Sequence, residues 1–234
     1  LVREHPGHGR AAFADRAFRV GDLVWQEEPL IKWQGNTHTN SSVLLAVNSF
    51  LEAVAAATPE VRRTIEQHFR APEPGPGAHA AHLTRSFTNH ENASGSLVPD
   101  IAEALSSVHE GIPLADLTRL ISLVRSNAHS FEGGKASALF PQAAMVSHSC
   151  APNLRVQTTG EKLFYYAIKP IAAGDLLSFS YLDQQFLWQP TRPRVQLLSE
   201  PYGFVCHCSR CDGLDTTRCF TCPGTHISVD IKVS

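Results

Sequence analysis

The seven residues Ser147-His148-Ser149-Cys150-Ala151-Pro152-Asn153 are the natural starting point for understanding this chain. They place an imidazole, a thiol and two hydroxyls within four residues, between an apolar helical region and a run of short strands. Downstream, Cys206, Cys208 and Cys211 follow in C-x-C and C-x2-C spacing. With Cys150 they make four thiols, the ligand count of a closed tetrahedral zinc site, although unligated core thiols are the alternative. A metal held by all four would tie the central stretch to the C-terminal one.

Composition narrows the class of protein. The 234 residues are 43% apolar and 18% charged, which is enough for one sizeable core. The formal net charge of −2 shows no basic excess for nucleic-acid binding, and no apolar run reaches the roughly 18 residues of a membrane span. The first residues do not resemble a signal peptide, and a start without Met is typical of a fragment. The six Cys are too few for a disulfide scaffold and favour metal ligation in a reducing compartment.

The N-terminal part has the pattern of short strands around a glycine loop. Gly7-His8-Gly9-Arg10 precedes an apolar run, as in a loop that enters a strand. Two glycines allow backbone N–H groups to approach a ligand closely, but an ordinary glycine loop has the same pattern. Residues 23–33 are predicted to be extended, with a break at Pro29.

A helical part follows. Apolar residues at helical spacing predict a helix over 43–57, and Thr58 and Pro59 mark the start of a second helix that runs to about Phe69. Two more helices are predicted over 99–110 and 113–128. We therefore expect residues 41–129 to form a helical insertion between two β-rich parts.

The C-terminal part returns to strands. Residues 154–158 and 162–168 flank a turn and predict a hairpin, and 176–181 is predicted to be a third strand. A short helix is predicted over 191–198, before the cysteine cluster. Cys219 and Cys222, with His226 nearby, are candidates for part of a second metal site that has no obvious fourth ligand.

Taken in order, several motifs resemble SET-domain proteins of the SMYD type, a family of protein-lysine methyltransferases. Gly7-x-Gly9-Arg10 is similar to the family's N-terminal glycine loop, and 147–153 to its Asn-His-Ser-Cys-x-Pro-Asn motif. Asn127 resembles the Asn that follows the family's last inserted helix. Residues 171–183 and the segment Tyr202-Gly203-Phe204-x-Cys206-x-Cys208-x2-Cys211 resemble its catalytic strand and its closing post-SET segment. The resemblance covers about 7–33 and 126–211.

Two departures from the family pattern stand out. SMYD proteins carry a zinc-binding MYND finger after the first β segment, whereas this chain has no Cys before Cys150, so it is SMYD-like without MYND. Ser147 stands where the family has Asn. Because Ser is shorter and has no amide N–H, one contact to the amino-acid end of the cofactor is expected to be lost or bridged by water.

The resemblance implies S-adenosylmethionine as methyl donor and a protein lysine, histone or non-histone, as acceptor. It implies Tyr181 as the catalytic residue; a core tyrosine on a strand is the alternative. The implied cofactor-binding residues are His8, Gly9, Arg10, Asn127, Ser147, His148, Tyr181, Tyr202 and Phe204. The implied ligands of a structural Zn²⁺ are Cys150, Cys206, Cys208 and Cys211.

Individual roles within that set follow from the same resemblance. Arg10 and Asn127 would hold the carboxylate and the ammonium of the cofactor, respectively; a solvated Arg and a helix cap are the alternatives. His148 would bind adenine through its backbone while its side chain pins the crossing of two segments. Tyr202 and Phe204 would line the lysine channel or stack on adenine, or else pack against the zinc site.

The expected fold is α+β: a SET-domain fold of short curved β-sheets with a threaded C-terminal segment, a helical insertion and a four-cysteine zinc post-SET element. The expected divisions are 1–40 and 130–190 for the SET core, 41–129 for the insertion and 191–234 for the post-SET segment. We expect a monomer in the cytoplasm or nucleus. The competing hypotheses are a catalytically silent SET module that binds a partner, and a zinc-stabilised interaction domain without a cofactor.

Overall fold

The computed structural model describes most of the chain. It covers residues 1–6, 9–35, 43–69, 105–106, 109, 111–131, 134–159, 161–215, 217, 219–221 and 228–230. The strands are β1 Val2–His5, β2 Gly9–Ala12, β3 Leu23–Glu27, β4 Ile31–Gln34, β5 His129–Phe131, β6 Ala136–Leu139, β7 Ser147–His148, β8 Leu154–Thr159, β9 Lys162–Ala167, β10 Ser178–Phe179, β11 Cys219–Thr221 and β12 Ser228–Asp230. The helices are α1 Val43–Ala56, α2 Pro59–His68, α3 Leu114–Asn127, α4 Gln184–Leu187, α5 Thr191–Tyr202 and α6 Ser209–Asp212.

The strands form small sheets of two or three members. Strand β9 lies between β3 and β8, and β6 lies between β4 and β5, with every neighbour antiparallel. Strands β7 and β10 form a short parallel pair. Isolated bridges from Phe13 to Leu176 and from Phe18 to Ile171 join the N-terminal part to the late part of the chain. Residues far apart in sequence thus build one β region, which confirms the expected fold class of small β-sheets with helices.

The helices that lie between β4 and β5 in the chain are capped and packed as their sequence predicts. The Thr58 hydroxyl accepts a hydrogen bond of 3.3 Å from the Val61 N–H, and Pro59 occupies the first helical position of α2. Helix α3 buries Leu117, Ile121 and Val124, whose spacing of three and four residues places them on one face. These side chains share an apolar core with Trp33 on β4, so the helices are anchored to the sheet formed by β4, β6 and β5.

A second core fills the space beneath the sheets, and a third, smaller one lies at the C-terminal end. Tyr165 on β9 is fully buried in the second core. The buried members of the third core are Cys150, Leu182, Leu198 and Cys206. Because two of these four are cysteines, the C-terminal segment rests on little aliphatic burial.

Three local predictions need correction or lie outside the described residues. The strand expected over 176–181 is regular only at Ser178–Phe179, because the segment bends to meet both Phe13 and the β7 strand. The helix expected over 191–198 continues to Tyr202, where Gly203 ends it with a left-handed φ of 72°. Most of the helix expected over 99–110 falls outside the described residues. Within the described part, no helix is long and apolar enough to span a bilayer.

Asn153 fastens the central stretch to the segment before Tyr181. Its side-chain amide donates to the Leu176 carbonyl at 2.8 Å, and its side-chain oxygen accepts from the Ser178 N–H at 2.8 Å and from the Ser178 hydroxyl at 3.3 Å. The parallel pairing of β7 with β10 lies directly beside this residue. Asn153 therefore sets the position of two segments that no hairpin connects.

We predict that Asn153→Ala lowers the free energy of unfolding by about 2–4 kcal/mol, because it removes three side-chain hydrogen bonds within a packed region. Urea denaturation followed by circular dichroism measures the loss. Gln157→Ala is the matched control, because this exposed amide on β8 bonds only to Thr159 within the described residues, and we expect a change below about 0.5 kcal/mol. Equal stabilities for the two variants would contradict the role assigned to Asn153.

Candidate active site and metal centre

The site is built where β7 and β10 run side by side. Ser147 pairs with Ser178, and His148 pairs with Phe179. The Ser149 N–H then donates to the Phe179 carbonyl at 3.0 Å. This register brings the turn that contains Cys150 close to Tyr181, which follows β10 by two residues.

The His148 side chain joins the two segments by two hydrogen bonds. Its Nδ1 accepts from the backbone N–H of Tyr181 at 2.9 Å. Because a backbone N–H can only donate, Nδ1 is unprotonated, and the ring proton lies on Nε2, which is 3.3 Å from Cys150 Sγ and donates to it. Burial lowers the pKa of His148 to about 4, with Cys208 opposing and Arg194 adding to the shift. The imidazole is therefore neutral at neutral pH.

Tyr181 is held at both ends. Its N–H is bound by His148, and its hydroxyl donates to the Val146 carbonyl at 2.7 Å. Burial raises the pKa of the phenol well above its usual range, and Tyr202 raises it further. The hydroxyl thus stays protonated and acts as a fixed hydrogen-bonding group rather than as a base.

Aromatic rings enclose Tyr181. The centroid of its ring lies 4.9 Å from that of Tyr202, 5.0 Å from that of Phe179 and 6.4 Å from that of Phe204. The left-handed Gly203 separates Tyr202 from Phe204 and lets both rings turn toward Tyr181. The arrangement forms an apolar enclosure with one phenol oxygen fixed inside it, which suits a ligand that must shed water before it reacts.

Burial and two nearby charged side chains shift the pKa of Tyr202. Burial raises the pKa of Tyr202 to about 12, the Asp183 carboxylate contributes to the increase, and Arg125 opposes it. Both tyrosines are therefore neutral phenols at neutral pH. Asp183 is exposed and places a negative charge near the rim.

The four predicted metal ligands converge. The sulfur atoms of Cys150, Cys206, Cys208 and Cys211 all lie within 4.8 Å of one another, and Cys211 Sγ is 3.6 Å from Cys150 Sγ. Sulfurs bound tetrahedrally to Zn²⁺ at about 2.3 Å are about 3.8 Å apart, so these side chains fit that ion. Hydrogen bonds from Cys150 and Cys206 lower the pKa of Cys208, whereas hydrogen bonds from Cys150 and Cys208 raise the pKa of Cys206, so these thiols interact strongly with one another. Four sulfur ligands leave no open position, so the site suits a structural ion.

Three other predicted cofactor residues lie on β2 (Gly9 and Arg10) and at the end of α3 (Asn127). Gly9 begins β2 with a left-handed φ of 63°, and His8 lies outside the described residues. The Arg10 guanidinium donates to the carbonyl of His68, the last residue of α2, at 2.8 Å. The Asn127 amide donates to the Leu123 carbonyl at 2.9 Å and to the Ser126 hydroxyl at 3.0 Å. The roles proposed for these residues stay predictions.

Two further predictions concern the cofactor contact of Ser147 and the second metal site. Ser147 is 9% exposed, and its hydroxyl has no hydrogen-bond partner among the described residues, so it is available to a ligand or water. Cys219 lies on β11, whereas Cys222 and His226 fall outside the described residues. The second site is therefore still a prediction.

Sequence reasoning assigned no role to two side chains that support the site, His129 and Arg194. The His129 ring stacks on Phe179 at a centroid distance of 5.6 Å, and its Nε2 is 3.3 Å from the Tyr165 hydroxyl. Arg194 is fully buried beside the cysteines. A signal existed for Arg194, because it lies four residues before the buried Leu198 and therefore on the apolar face of its helix. No comparable pattern marks His129.

Known N-lysine methyltransferases are similar to this chain in sequence. N-lysine methyltransferase SMYD2 of Homo sapiens is 34% identical over 146 residues, which are 57% of this chain and 33% of that protein. N-lysine methyltransferase SMYD2-A of Danio rerio is 36% identical over 101 residues, which are 42% of this chain and 22% of that protein. The chain thus spans about a third or less of the length of these relatives. They confirm the SMYD-like character that the motifs indicated.

The fold has a counterpart among solved structures. The SET domain of LSMT, crystallised with lysine and AdoHcy, superimposes with a TM-score of 0.57 at 11% identity, covering 88% of this chain and 52% of that one. An identity this low supports the fold alone. A family model described as the SET domain matches residues 9–182. Since that range is well over half of the 234 residues, the chain belongs to the SET-domain family.

Proposed function

We propose that this chain is a protein-lysine N-methyltransferase that uses S-adenosylmethionine. The observation that carries the proposal is Tyr181, a neutral phenol fixed by His148 and Val146 inside an aromatic enclosure. Relatives whose names include N-lysine methyltransferase support the reaction, and LSMT shows that a protein of this fold can hold lysine and AdoHcy together. The reducing environment that free thiols need supports a cytoplasmic or nuclear location.

The chemistry requires alignment more than acid–base catalysis. S-Adenosylmethionine supplies a methyl group on a positively charged sulfur. A neutral lysine nitrogen would form its bond to that carbon as the carbon–sulfur bond breaks, and the proton on nitrogen would pass to solvent. Holding the two reactants in line can account for about 7–11 kcal/mol of the barrier.

The side chains of the enclosure prepare the amine. A free lysine has a pKa of about 10.4, and an apolar site disfavours its charged form. Tyr181, Tyr202 and Phe204 provide that apolar lining. The Asp183 carboxylate at the rim would attract the incoming ammonium, which then loses its proton as it enters. The Tyr181 oxygen, whose own proton is engaged by Val146, can accept a hydrogen bond from the neutral amine.

Arg10 is proposed to change partners when the cofactor binds. Its guanidinium now donates to the His68 carbonyl, where the negative end of the α2 dipole favours a cation. To hold the cofactor carboxylate it would exchange that neutral acceptor for a charged one, with which Arg forms the stronger hydrogen bonds. The other residues proposed for the cofactor site are Gly9, Asn127, Ser147, the backbone of His148, His8, Tyr181, and Tyr202 and Phe204, whose rings would stack on adenine.

We further propose that the four cysteines hold a structural Zn²⁺. The three C-terminal ligands follow Phe204 within seven residues, and the fourth, Cys150, follows His148 by two. The ion would fix the closing segment, and with it the Phe204 ring, against the turn that positions Tyr181. A catalytically silent SET module is the alternative, and two observations favour it: Ser147 in place of the family's Asn, and the absence of a Cys before Cys150 for a MYND finger.

We predict that the zinc-loaded chain binds S-adenosylmethionine. Phe204→Ala should weaken this binding at least about tenfold, because the buried contact of an aromatic ring with the cofactor contributes about 1–3 kcal/mol. Isothermal titration calorimetry measures both affinities. Phe164→Ala is the matched control, since this partly exposed ring stacks on Tyr166 of the same strand, β9, which belongs to a different sheet from β7 and β10. Absence of binding by the unmodified chain at millimolar cofactor would favour the silent module.

We predict that Tyr181→Phe lowers the methylation rate about 100-fold, since the amine loses its positioning oxygen. Transfer of tritium from labelled S-adenosylmethionine to a lysine peptide array and to core histones measures the rate. The affinity for the cofactor should change less than about threefold, because the ring remains in place. Tyr166→Phe, a partly exposed tyrosine on β9, should keep the full rate; an unchanged rate for Tyr181→Phe would refute its catalytic role.

We predict that elemental analysis finds one zinc per chain. Removal of the zinc by a chelator should lower the cofactor affinity at least about tenfold, because the metal fixes the segment that carries Phe204. Cys150→Ser should abolish the metal. A Cys219→Ser/Cys222→Ser double variant should keep it. A stoichiometry of two in the unmodified chain that falls to one in the double variant would instead establish the second site.

A further inference from the structure

We propose that Arg194 is the counter-cation of the four-cysteine metal site, donating a hydrogen bond to a ligand sulfur and thereby setting how tightly the metal is retained. The inference rests on the zinc site proposed above. It concerns a residue outside the ligand set and outside the aromatic enclosure.

Arg194 is buried in a way that requires an anion. It lies on α5 with 0% exposure and ranks first in size among the fully buried side chains of the described residues. A buried charge is costly unless it is paired and hydrogen-bonded. Among the described residues, no Asp or Glu carboxylate forms an ion pair with this guanidinium. Its compensating negative charge must therefore come from another kind of group.

The hydrogen bonds of the guanidinium point to the cysteine sulfurs. Nη1 donates to the Gln189 carbonyl, and Nη2 donates to the Thr191 hydroxyl at 3.1 Å. Nη2 also faces Cys211 Sγ at 3.6 Å, within the range of an N–H···S contact. The two oxygen partners fix the plane of the guanidinium so that one edge meets the sulfur.

The metal site has the complementary need. Four thiolates around Zn²⁺ carry a net charge of −2, and this charge lies against a protein interior. His148 donates to Cys150, but its imidazole is neutral, because its Nδ1 accepts the hydrogen bond from the Tyr181 N–H. Arg210 donates at 3.4 Å to the Cys150 carbonyl rather than to a sulfur. Within the described part of the chain, Arg194 is thus the cation that hydrogen-bonds a ligand sulfur.

Such a contact has a predictable effect on the ligand. A charge-assisted N–H···S bond stabilises the thiolate, disfavours its protonation and lowers its reactivity. Groups that hydrogen-bond metal ligands typically change metal affinity 10–100-fold when they are removed. Arg194 would therefore slow zinc loss even though it never touches the ion.

The test compares Arg194→Gln, which keeps N–H donors without the charge, and Arg194→Met, which removes both, with the unmodified chain. Arg192→Met is the matched control, an exposed arginine on the same helix. Zinc release to a chelating dye should be about 10–100-fold faster for Arg194→Met, less accelerated for Arg194→Gln and unchanged for Arg192→Met. Thermal unfolding of each zinc-loaded variant identifies a general loss of structure.

Cobalt(II) substitution supplies a readout that a purely structural role would not move. The sulfur-to-cobalt charge-transfer band should shift to lower energy in Arg194→Met, because the sulfur then holds its electrons less tightly. If neither neutral variant folds, Arg194→Lys, which keeps the charge but loses the planar donor, should still release zinc faster and shift the band. Unchanged release and an unchanged band in the folded variants would overturn the inference. A lack of zinc in the unmodified chain would instead refute the metal site itself.

Discussion

The His148 imidazole forms the link on which the candidate site depends. One ring nitrogen accepts from the Tyr181 backbone and the other donates to Cys150, so a single side chain joins the aromatic enclosure to the cysteine cluster. Both hydrogen bonds require the neutral ring with its proton on Nε2, and burial lowers the pKa of His148 enough to keep it so. A protonated ring would carry a hydrogen on Nδ1 facing the Tyr181 N–H, and the bond that positions the tyrosine would be lost.

From this link a continuous series of hydrogen bonds extends in both directions. On one side the Tyr181 hydroxyl binds Val146, two residues before His148, so the tyrosine is fastened to the same short segment at both its backbone and its ring. On the other side Cys150 lies beside Cys211, which in turn contacts Arg194. A change at Arg194 can therefore reach Tyr181 through three neighbouring side chains, those of Cys211, Cys150 and His148.

The sequence predicts contacts between neighbouring residues better than it predicts contacts between residues far apart in the chain. Thr58 and Pro59 identify a helix start because a cap is a contact between neighbours, and the spacing of the cysteines identifies a metal site because a tetrahedral ion constrains its ligands. The bond from Arg10 to His68 and the stacking of His129 on Phe179 connect residues about 50 positions or more apart, and no periodicity encodes them. The parallel register of β7 against β10 joins segments about 30 residues apart, and neither the pattern nor the resemblance to SET-domain proteins predicted it.

The size of the third core explains why the closing segment needs more than apolar packing. Its buried aliphatic side chains, among the described residues, are Leu182 and Leu198, and burying one such side chain contributes about 1.5–3 kcal/mol. A structural zinc ion in a small domain contributes about 10–16 kcal/mol, several times as much. Order in the segment that carries Phe204 should therefore follow metal occupancy more closely than it follows the rest of the fold. A residue such as Arg194, which stabilises the metal-bound sulfurs, then affects the enclosure from the far side of the cysteine cluster.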